Sequence, residues 1–301
     1  MRKEEFGIKM KVLVIGSNGQ LGTELCKQLS SGISELGSIP DDYNDVEVYS
    51  ADIPEIDITN QSSTFAYIET HAADIVFNCA AYTNVDGCEL YEDDAFRVNA
   101  IGARNLAIAC ERTGAKLLHV STDYVFPGNG MRPYREDDQP NPISAYGRTK
   151  LAGEQNIVQF CSRWFIVRTA WLYGYCGRNF VKAILNKAKS AGKVTVVSDQ
   201  RGNPTNAVDL AYHMLKIAVT AEYGIYHCTG TGECSWFDFA KSIVSLAKID
   251  AAVISCTSDE YPSPTKRPAY SSLEHMMLRL TVGDEMRSWE DALQCFIENL
   301  E

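Results

Sequence analysis

Two short stretches hold residues whose types and spacing could do chemistry. Tyr146-Gly147-Arg148-Thr149-Lys150 sets a phenol and an amine four residues apart, which on a helix puts them on one face. A tyrosine alone titrates near about 10. A neighbouring ammonium and the positive end of a helix both favour its phenolate, so the pair suits general acid–base work near neutral pH. Far upstream lies Gly16-Ser17-Asn18-Gly19-Gln20-Leu21-Gly22. Glycines let a backbone approach a pyrophosphate closely, and a helix start offers free N–H groups.

Further residues fit around these two stretches. Lys11–Ile15 (KVLVI) reads as a buried strand feeding the glycines. The glycines are spaced G-x-x-G-x-x-G rather than G-x-G-x-x-G, and Gly16, Asn18, Gly19, Gln20, Leu21 and Gly22 would face a dinucleotide. Asp52, past a second strand, is placed to accept hydrogen bonds from ribose hydroxyls. Its neighbours Ile53, Pro54 and Glu55 supply no cation for a 2′-phosphate, which favours NADH over NADPH. Asp57 and Ile58 extend the same edge. The run Asn78-Cys79-Ala80-Ala81-Tyr82-Thr83 follows a third strand, and its small residues would let a cofactor lie against the backbone. Ser121-Thr122-Asp123-Tyr124 ends a fourth strand, where Thr122 could hydrogen-bond a substrate carbonyl beside Tyr146. In this order the pieces point to a nicotinamide-dependent reductase.

The elements that position these residues alternate. Apolar Leu21, Leu25 and Leu29, spaced by four, predict a helix over 20–30. Strands are expected at Val46–Ala51, Asp74–Phe77, Lys116–Ser121 and Trp164–Val167, with helices over Asp93–Arg112 and Ser144–Phe160. Asn141-Pro142 precedes the latter helix and Ser144 is its expected N-cap, which places Tyr146 in the first turn. Residues 31–45, polar and containing Gly and Pro, read as a surface excursion. The alternation predicts an α/β, Rossmann-like doubly wound parallel sheet. Beyond Trp171 it loosens: a helix near Phe180–Lys189, a strand at Val194–Val197 and Pro-rich 261–268 suggest a smaller C-terminal lobe for substrate. The expected division is 10–170 with about 199–229 for the dinucleotide, and about 171–198 with 230–301 for the lobe. Residues 1–9 read as a disordered extension.

Bulk properties narrow the function classes. The 301 residues are 45% hydrophobic and 22% charged, ordinary globular values. A net charge of −11 argues against nucleic acid and anionic membrane as partners. No apolar run is long enough to cross a bilayer, and MRKEEFGIKM has no secretory apolar core. Ten cysteines are scattered without a C-x-x-C pattern and read as reduced thiols of a cytoplasmic protein. The five histidines are isolated, so neither a zinc site nor a Ser-His-Asp triad is visible.

Several stretches carry a resemblance: GSNGQLG (16–22), NCAAYTNVD (78–86), VNAIGARNLA (98–107), STDYVFPGNG (121–130), NPISAYGRTKLAGE (141–154), RTAWLYG (168–174), NF (179–180), DQRGNPT (199–205) and KRPAYSSL (266–273). The chain resembles the extended short-chain dehydrogenase/reductases, and among them the dTDP-4-dehydrorhamnose reductase family, from residue 11 to about 290. STDYVFPG and RP-x-x-S-x-L are far more specific than the glycine loop. The resemblance implies reduction of the C4 ketone of a dTDP-6-deoxy-hexulose by NADH or NADPH. Tyr146 would protonate the forming alkoxide, Lys150 would lower its pKa and hold the nicotinamide ribose, and Thr122 would orient the carbonyl. Asn99 aligns with a helix asparagine thought to support the lysine through water. Thr83, Val85, Asp123, Tyr124 and Trp171 fall on the sugar side; Trp171 could stack on a pyranose, though without the resemblance it reads as core. Asn179, Arg201 and Thr205 lie in segments used around the nucleotide and the lobe interface, or serve structure alone. Arg267 could hold a diphosphate bidentately.

The excursion at 31–45 and the N-terminal extension are longer than the family pattern. Some relatives bind magnesium through acidic residues at a dimer interface; the ligands are not identifiable in this sequence, which leaves Mg2+ open as a further cofactor and the chain as monomer or homodimer. Two rivals stand beside this reading. A 4,6-dehydratase or epimerase of the same superfamily is opposed by Tyr124, where dehydratases carry glutamate. A non-catalytic dinucleotide-binding subunit, like the regulatory β subunit of methionine adenosyltransferase, shares the fold and much of the pattern. A reductase of another 4-keto-6-deoxy nucleotide sugar would carry the same motifs.

Overall fold

Apolar runs rich in β-branched residues form the longer strands, as their composition requires. In chain order these are β1 (Lys11–Ile15), β2 (Glu47–Ala51), β3 (Ile75–Asn78), β4 (Lys116–Thr122), β5 (Trp164–Thr169), β6 (Lys193–Val197), β7 (Gly224–His227) and β8 (Ala252–Cys256). The helices that matter below are α1 (Gln20–Ser31), α2 (Gln61–His71), α3 (Ala103–Thr113), α4 (Ala145–Phe160), α5 (Phe180–Ala191), α6 (Ala207–Ala218), α7 (Trp236–Leu246) and α8 (Trp289–Glu298). The computed structural model describes residues 9–300. The extension expected over 1–9 therefore falls almost wholly outside the described residues.

Six strands form one parallel sheet in the order β7-β5-β4-β3-β1-β2. Val12 of β1 stands opposite Val48 on one side and Ile75 on the other. The chain leaves β1 toward β2 and then returns to its other flank as β3, so a crevice opens at the C-terminal ends of β1 and β3. Both faces of the sheet are covered. Leu21, Leu25 and Leu29 of α1 join Leu210, Met214 and Ile217 of α6 in one core; Ile68, Leu106, Cys110 and Ile157, from α2, α3 and α4, fill the other. A third cluster gathers Val181, Leu185, Val194, Phe239, Ile243, Leu293 and Phe296 around α5, α7, α8 and the parallel pair β6–β8.

Three expectations change. The helix read over 93–112 is broken into an α-turn (Glu92–Phe96), a π-helical segment (Arg97–Gly102) and α3; π-segments of this kind gather at functional sites. Helix α2 escaped the sequence reading because it buries only Thr64 and Ile68 and has no apolar stripe to detect. The 31–45 excursion is not all surface. Its tip is an exposed hairpin, but Ile39 and Tyr43 are buried in the core beside α6, and the Tyr43 hydroxyl donates to the Leu215 carbonyl at 3.0 Å.

No described helix is long and apolar enough to cross a membrane, and all ten cysteines are free thiols.

Tyr43→Ala is expected to cost about 3–5 kcal/mol in denaturant unfolding, the range for emptying a buried aromatic site. Ile33→Ala in the exposed hairpin is expected to change stability by no more than about 0.5 kcal/mol. Equal effects would mean that the excursion does not dock as described.

Candidate active site

A cleft of about 730 Å³ lies over the crevice at the ends of β1, β3 and β4, bounded by the starts of α1, α4, α5 and α7. It gathers most of the residues singled out from sequence: Gly16, Gly19, Gln20, Leu21, Gly22, Asp52, Asp57, Ile58, Cys79, Ala80, Ala81, Tyr82, Thr83, Val85, Thr122, Asp123, Tyr124, Tyr146, Lys150, Trp171, Asn179 and Arg267.

The glycine loop is shaped for close approach. Gly16 has φ +77°, and a Cβ there would lie 2.6 Å from the Ala80 backbone nitrogen; one on Gly22 would lie 2.2 Å from the Gly16 carbonyl oxygen. At Gly19, which caps α1, no side chain takes up the free N–H groups, and the first turn carries no acid. These features fit a bound pyrophosphate. Asn18 is not in the cleft lining: its backbone N–H donates to Asp52 Oδ2 at 3.1 Å and holds the carboxylate at the cleft edge. Asp52 Oδ1 accepts from the Ile53 amide at 2.9 Å. Asn179 caps α5 and also donates to Gln20 Oε1 at 3.0 Å, so the loop is tied to the third cluster.

The acid–base group forms where β4 meets α4. Ser144 caps α4 by accepting from the Gly147 N–H at 3.1 Å. Gly147 is needed for a second reason, since a Cβ would meet the Tyr124 carbonyl oxygen at 2.2 Å. Thr122 donates to Asp123 Oδ1 at 2.9 Å and hydrogen-bonds Tyr146. The ring of Tyr124 meets the edge of Tyr146 with centroids 5.5 Å apart. Burial pushes the Asp123 carboxyl up to about 6.

Here the electrostatics differ from expectation. Burial pushes the Tyr146 phenol upward, against the opposing hydrogen bond with Thr122, and the Asp123 charge adds to the rise. The ammonium does not offset this. Lys150 Nζ donates to the Val120 carbonyl at 2.7 Å and lies 3.2 Å from His119 Nε2. Burial lowers Lys150 to about 8, with the Glu154 charge acting in the opposite direction. Tyr146 is thus a protonated phenol, not a phenolate, across the neutral range.

Asn99 also differs. It sits in the π-segment, 1% exposed. It accepts from the Tyr82 N–H at 2.8 Å and donates to the Tyr82 carbonyl and to Thr149 Oγ1. Its direct partners hold the Tyr82 loop against α4, and Lys150 is not among them. Thr205 is fully buried away from the cleft and accepts from the Gly230 amide, so the expected substrate contact is corrected to a seam between backbone segments. Arg201 lies outside the lining too, paired with Glu233 at 3.1 Å. Arg267 Nη2 pairs with Asp86 Oδ1 at 3.1 Å, and Nη1 donates to the Tyr124 hydroxyl at 3.3 Å. Trp171 takes a left-handed φ of +47°, and one indole face is already covered by Trp236, with centroids 3.5 Å apart.

Trp236 and Arg178 line the cleft and carried no signal in the sequence, and Phe180, which the resemblance included only as part of NF (179–180), lines it too. Each follows from how the third cluster is docked, not from a local pattern. Beneath the cleft, Glu154 forms a buried bidentate pair with Arg168 at 3.0 and 2.7 Å and accepts from Ser121 at 2.5 Å. Among the described residues no group of three His, Cys, Asp or Glu side chains could hold a metal ion.

The family model described as RmlD substrate binding domain matches residues 10–301. The spore coat polysaccharide biosynthesis protein SpsK of Bacillus subtilis is 40% identical, the match covering 96% of this chain and 97% of that protein. The crystal structure of a dTDP-4-dehydrorhamnose reductase from Clostridium acetobutylicum superposes with a TM-score of 0.90 at 45% identity, over 96% of this chain and 99% of that one. That of dTDP-4-dehydrorhamnose reductase from Bacillus anthracis in complex with NADP gives 0.89 at 41%, over 97% and 99%.

Arg168→Met, by leaving the Glu154 carboxylate buried without its bidentate partner, is expected to cost about 3–5 kcal/mol. Urea unfolding checks this; a loss below about 1 kcal/mol, the scale of an exposed pair, would remove the pair from the account of how α4 is held.

Proposed function

We propose, since this chain belongs to the RmlD substrate binding domain family, that it reduces the C4 ketone of dTDP-4-dehydro-L-rhamnose to dTDP-L-rhamnose, with NADH or NADPH as the reductant. The observation that carries this reading is the meeting of Thr122, Tyr146 and Lys150 in one cleft with the glycine cradle. A nicotinamide dinucleotide, when bound, supplies the hydride for the carbonyl carbon. Gly16, Gly19, Gln20, Leu21 and Gly22 would hold its pyrophosphate, Asp52 its adenosine ribose, and the Cys79–Tyr82 backbone its nicotinamide half.

The chain's own residues then manage one proton. Tyr146 is protonated at neutral pH and burial raises its phenol further, so it is loaded as an acid before substrate arrives and gives its proton to the carbonyl oxygen as that oxygen gains charge. Thr122 orients the same oxygen. Lys150, below about pH 8, supplies positive charge near the resulting phenolate, which the buried site would otherwise disfavour. Trp171, Trp236, Asn179 and Arg267 would form the sugar and diphosphate side, with residues 171–198 and 230–301 as the substrate lobe. Arg267 must exchange Asp86 for a phosphate oxygen to do so.

We further propose that both reductants are used and that NADH is favoured. The Asp52 carboxylate lies at the cleft edge, where it would meet the adenosine ribose, and residues 52–60 contain no lysine or arginine to neutralise a 2′-phosphate. The Bacillus anthracis relative was crystallised with NADP, so the two reductants must be compared directly.

Oxidation of NADH and of NADPH with enzymatically prepared dTDP-4-dehydro-L-rhamnose tests the reaction. Turnover to dTDP-L-rhamnose is expected. Dinucleotide binding without turnover of any 4-keto-6-deoxy sugar nucleotide would return the non-catalytic reading.

Tyr146→Phe is expected to lower kcat by about 10²-fold or more while leaving dinucleotide affinity within about twofold. Wild-type turnover in that variant would mean that another group is the acid.

Asp52→Ala is expected to shift the NADPH to NADH ratio of kcat/KM upward by about tenfold, equivalent to about 1.4 kcal/mol. An unchanged ratio would remove Asp52 from cofactor choice.

A further inference from the structure

Below the cleft floor, three buried polar side chains meet in a line. Asn78 and His119 are each 1% exposed and Lys150 is 2% exposed. Asn78 Oδ1 accepts from the Ala80 N–H at 3.1 Å. That orients the amide, so its Nδ2 group faces His119 Nδ1 at 2.8 Å. An NH₂ group has no lone pair to offer, hence Nδ1 must be the acceptor and the proton of a neutral ring must sit on Nε2. The opposite tautomer would require the amide to turn over, which keeps a bond to the ring through Oδ1 but sets the NH₂ against the Ala80 N–H and loses that bond. His119 Nε2 lies 3.2 Å from Lys150 Nζ. An N–H aimed at nitrogen makes a hydrogen bond only where that nitrogen has a lone pair.

We propose that His119 is a positioning residue for Lys150: Asn78 fixes its Nε2–H tautomer, and that N–H donates to the lysine nitrogen in its neutral, amine form. This rests on the reading of Lys150 as part of the catalytic group. The ring stays neutral, because burial and then the Lys150 charge both push it well below the ordinary histidine range. The groups around Lys150 leave the ring free to act. Glu154, one turn further along α4, raises the lysine, but its carboxylate is already taken by Arg168 and Ser121. Cys79, after β3, is a buried thiol held protonated by desolvation. Tyr146, one turn earlier on α4, is a neutral phenol. Val120 accepts one lysine N–H, which serves either charge state. Glu154 favours the ammonium through its charge, and the His119 N–H opposes it by favouring the amine.

The consequence is a sign. If the ring donates, replacing it with a group that can accept moves the Lys150 titration up; if the ring accepts, the same replacement moves it down or leaves it still. Long-range proton–nitrogen NMR on enzyme labelled in its histidines reads the tautomer directly, and labelled lysines, with Lys150→Arg as the assignment control, give the Lys150 midpoint. The expected result is Nε2–H for His119 between roughly pH 6 and 9, with no titration of the ring. In His119→Gln, whose amide oxygen can face the ammonium, the Lys150 midpoint is expected to rise by about one pH unit, a tenfold change in proton affinity. Asn78→Asp keeps the ring and accepts from Nδ1–H, so it is expected to switch the tautomer and raise the midpoint as well. Nδ1–H in the wild-type protein would overturn the proposal. So would a midpoint that stays or falls in both variants once thermal unfolding shows either to be folded. None of these readouts needs turnover. Failure to reduce the sugar nucleotide would therefore count against the proposed reaction, and the spectra alone decide this inference. Where the enzyme turns over, the alkaline limb of kcat/KM is expected to follow the lysine midpoint upward.

Discussion

Keeping an ammonium dry beside an open cleft governs much of the polar interior of this protein. Lys150 is 2% exposed, and removing a charge from water is costly unless partners replace the water. The partners come from two elements, the Val120 carbonyl from β4 and the Glu154 charge from α4 itself, while the neutral His119 ring of β4, set by Asn78 at the end of β3, faces the same nitrogen and favours its amine form. Glu154 is buried in turn and is held by Arg168 from β5 and Ser121 from β4. Arg168 lies over the Phe126 ring, 5.1 Å from its centroid. Helix α4 cannot tilt without stranding one of these groups, and the same restraint holds Tyr146 one turn earlier.

The cleft is closed by contacts of another kind. Gln20, at the start of α1, is hydrogen-bonded to the cap of α5. Glu35, at the tip of the excursion, accepts from the Tyr175 hydroxyl and from Arg287, each at 2.9 Å. Across the mouth, Arg267 reaches Asp86 and Tyr124. These ties are partly exposed and individually weak. They suit a seam whose two sides must separate enough to admit a ligand, whereas the pairs under α4 suit a floor that does not move.

Much of the site was legible because its signals are local. A strand, a glycine turn and a helix in sequence specify a phosphate cradle without help from distant residues, and Ser144 capping α4 specifies where Tyr146 points. Other parts carried no local signal. Helix α2 has almost no apolar stripe. The π-segment looks like ordinary helix in composition, and its extra residue per turn is visible only once Asn99 is bonded to the Tyr82 loop. Thr205 lies in a segment that the family resemblance sets around the nucleotide and the lobe interface, yet its hydroxyl closes a buried seam. His119 read as an isolated histidine because its partners, Asn78 and Lys150, lie far from it in the chain.

The amino-acid sequence by itself determined the alternation of strands and helices, the glycine cradle, and the identity and shared helix face of Tyr146 and Lys150. These depend on spacing and backbone preference, which act over a few residues. Tertiary structure decided the proton affinities. The Tyr146 phenol is raised, Asp123 is raised to about 6 and Lys150 is lowered to about 8. Those outcomes follow from how completely water is excluded and from which distant segment supplies each partner, and neither is encoded in the neighbourhood of the titrating residue.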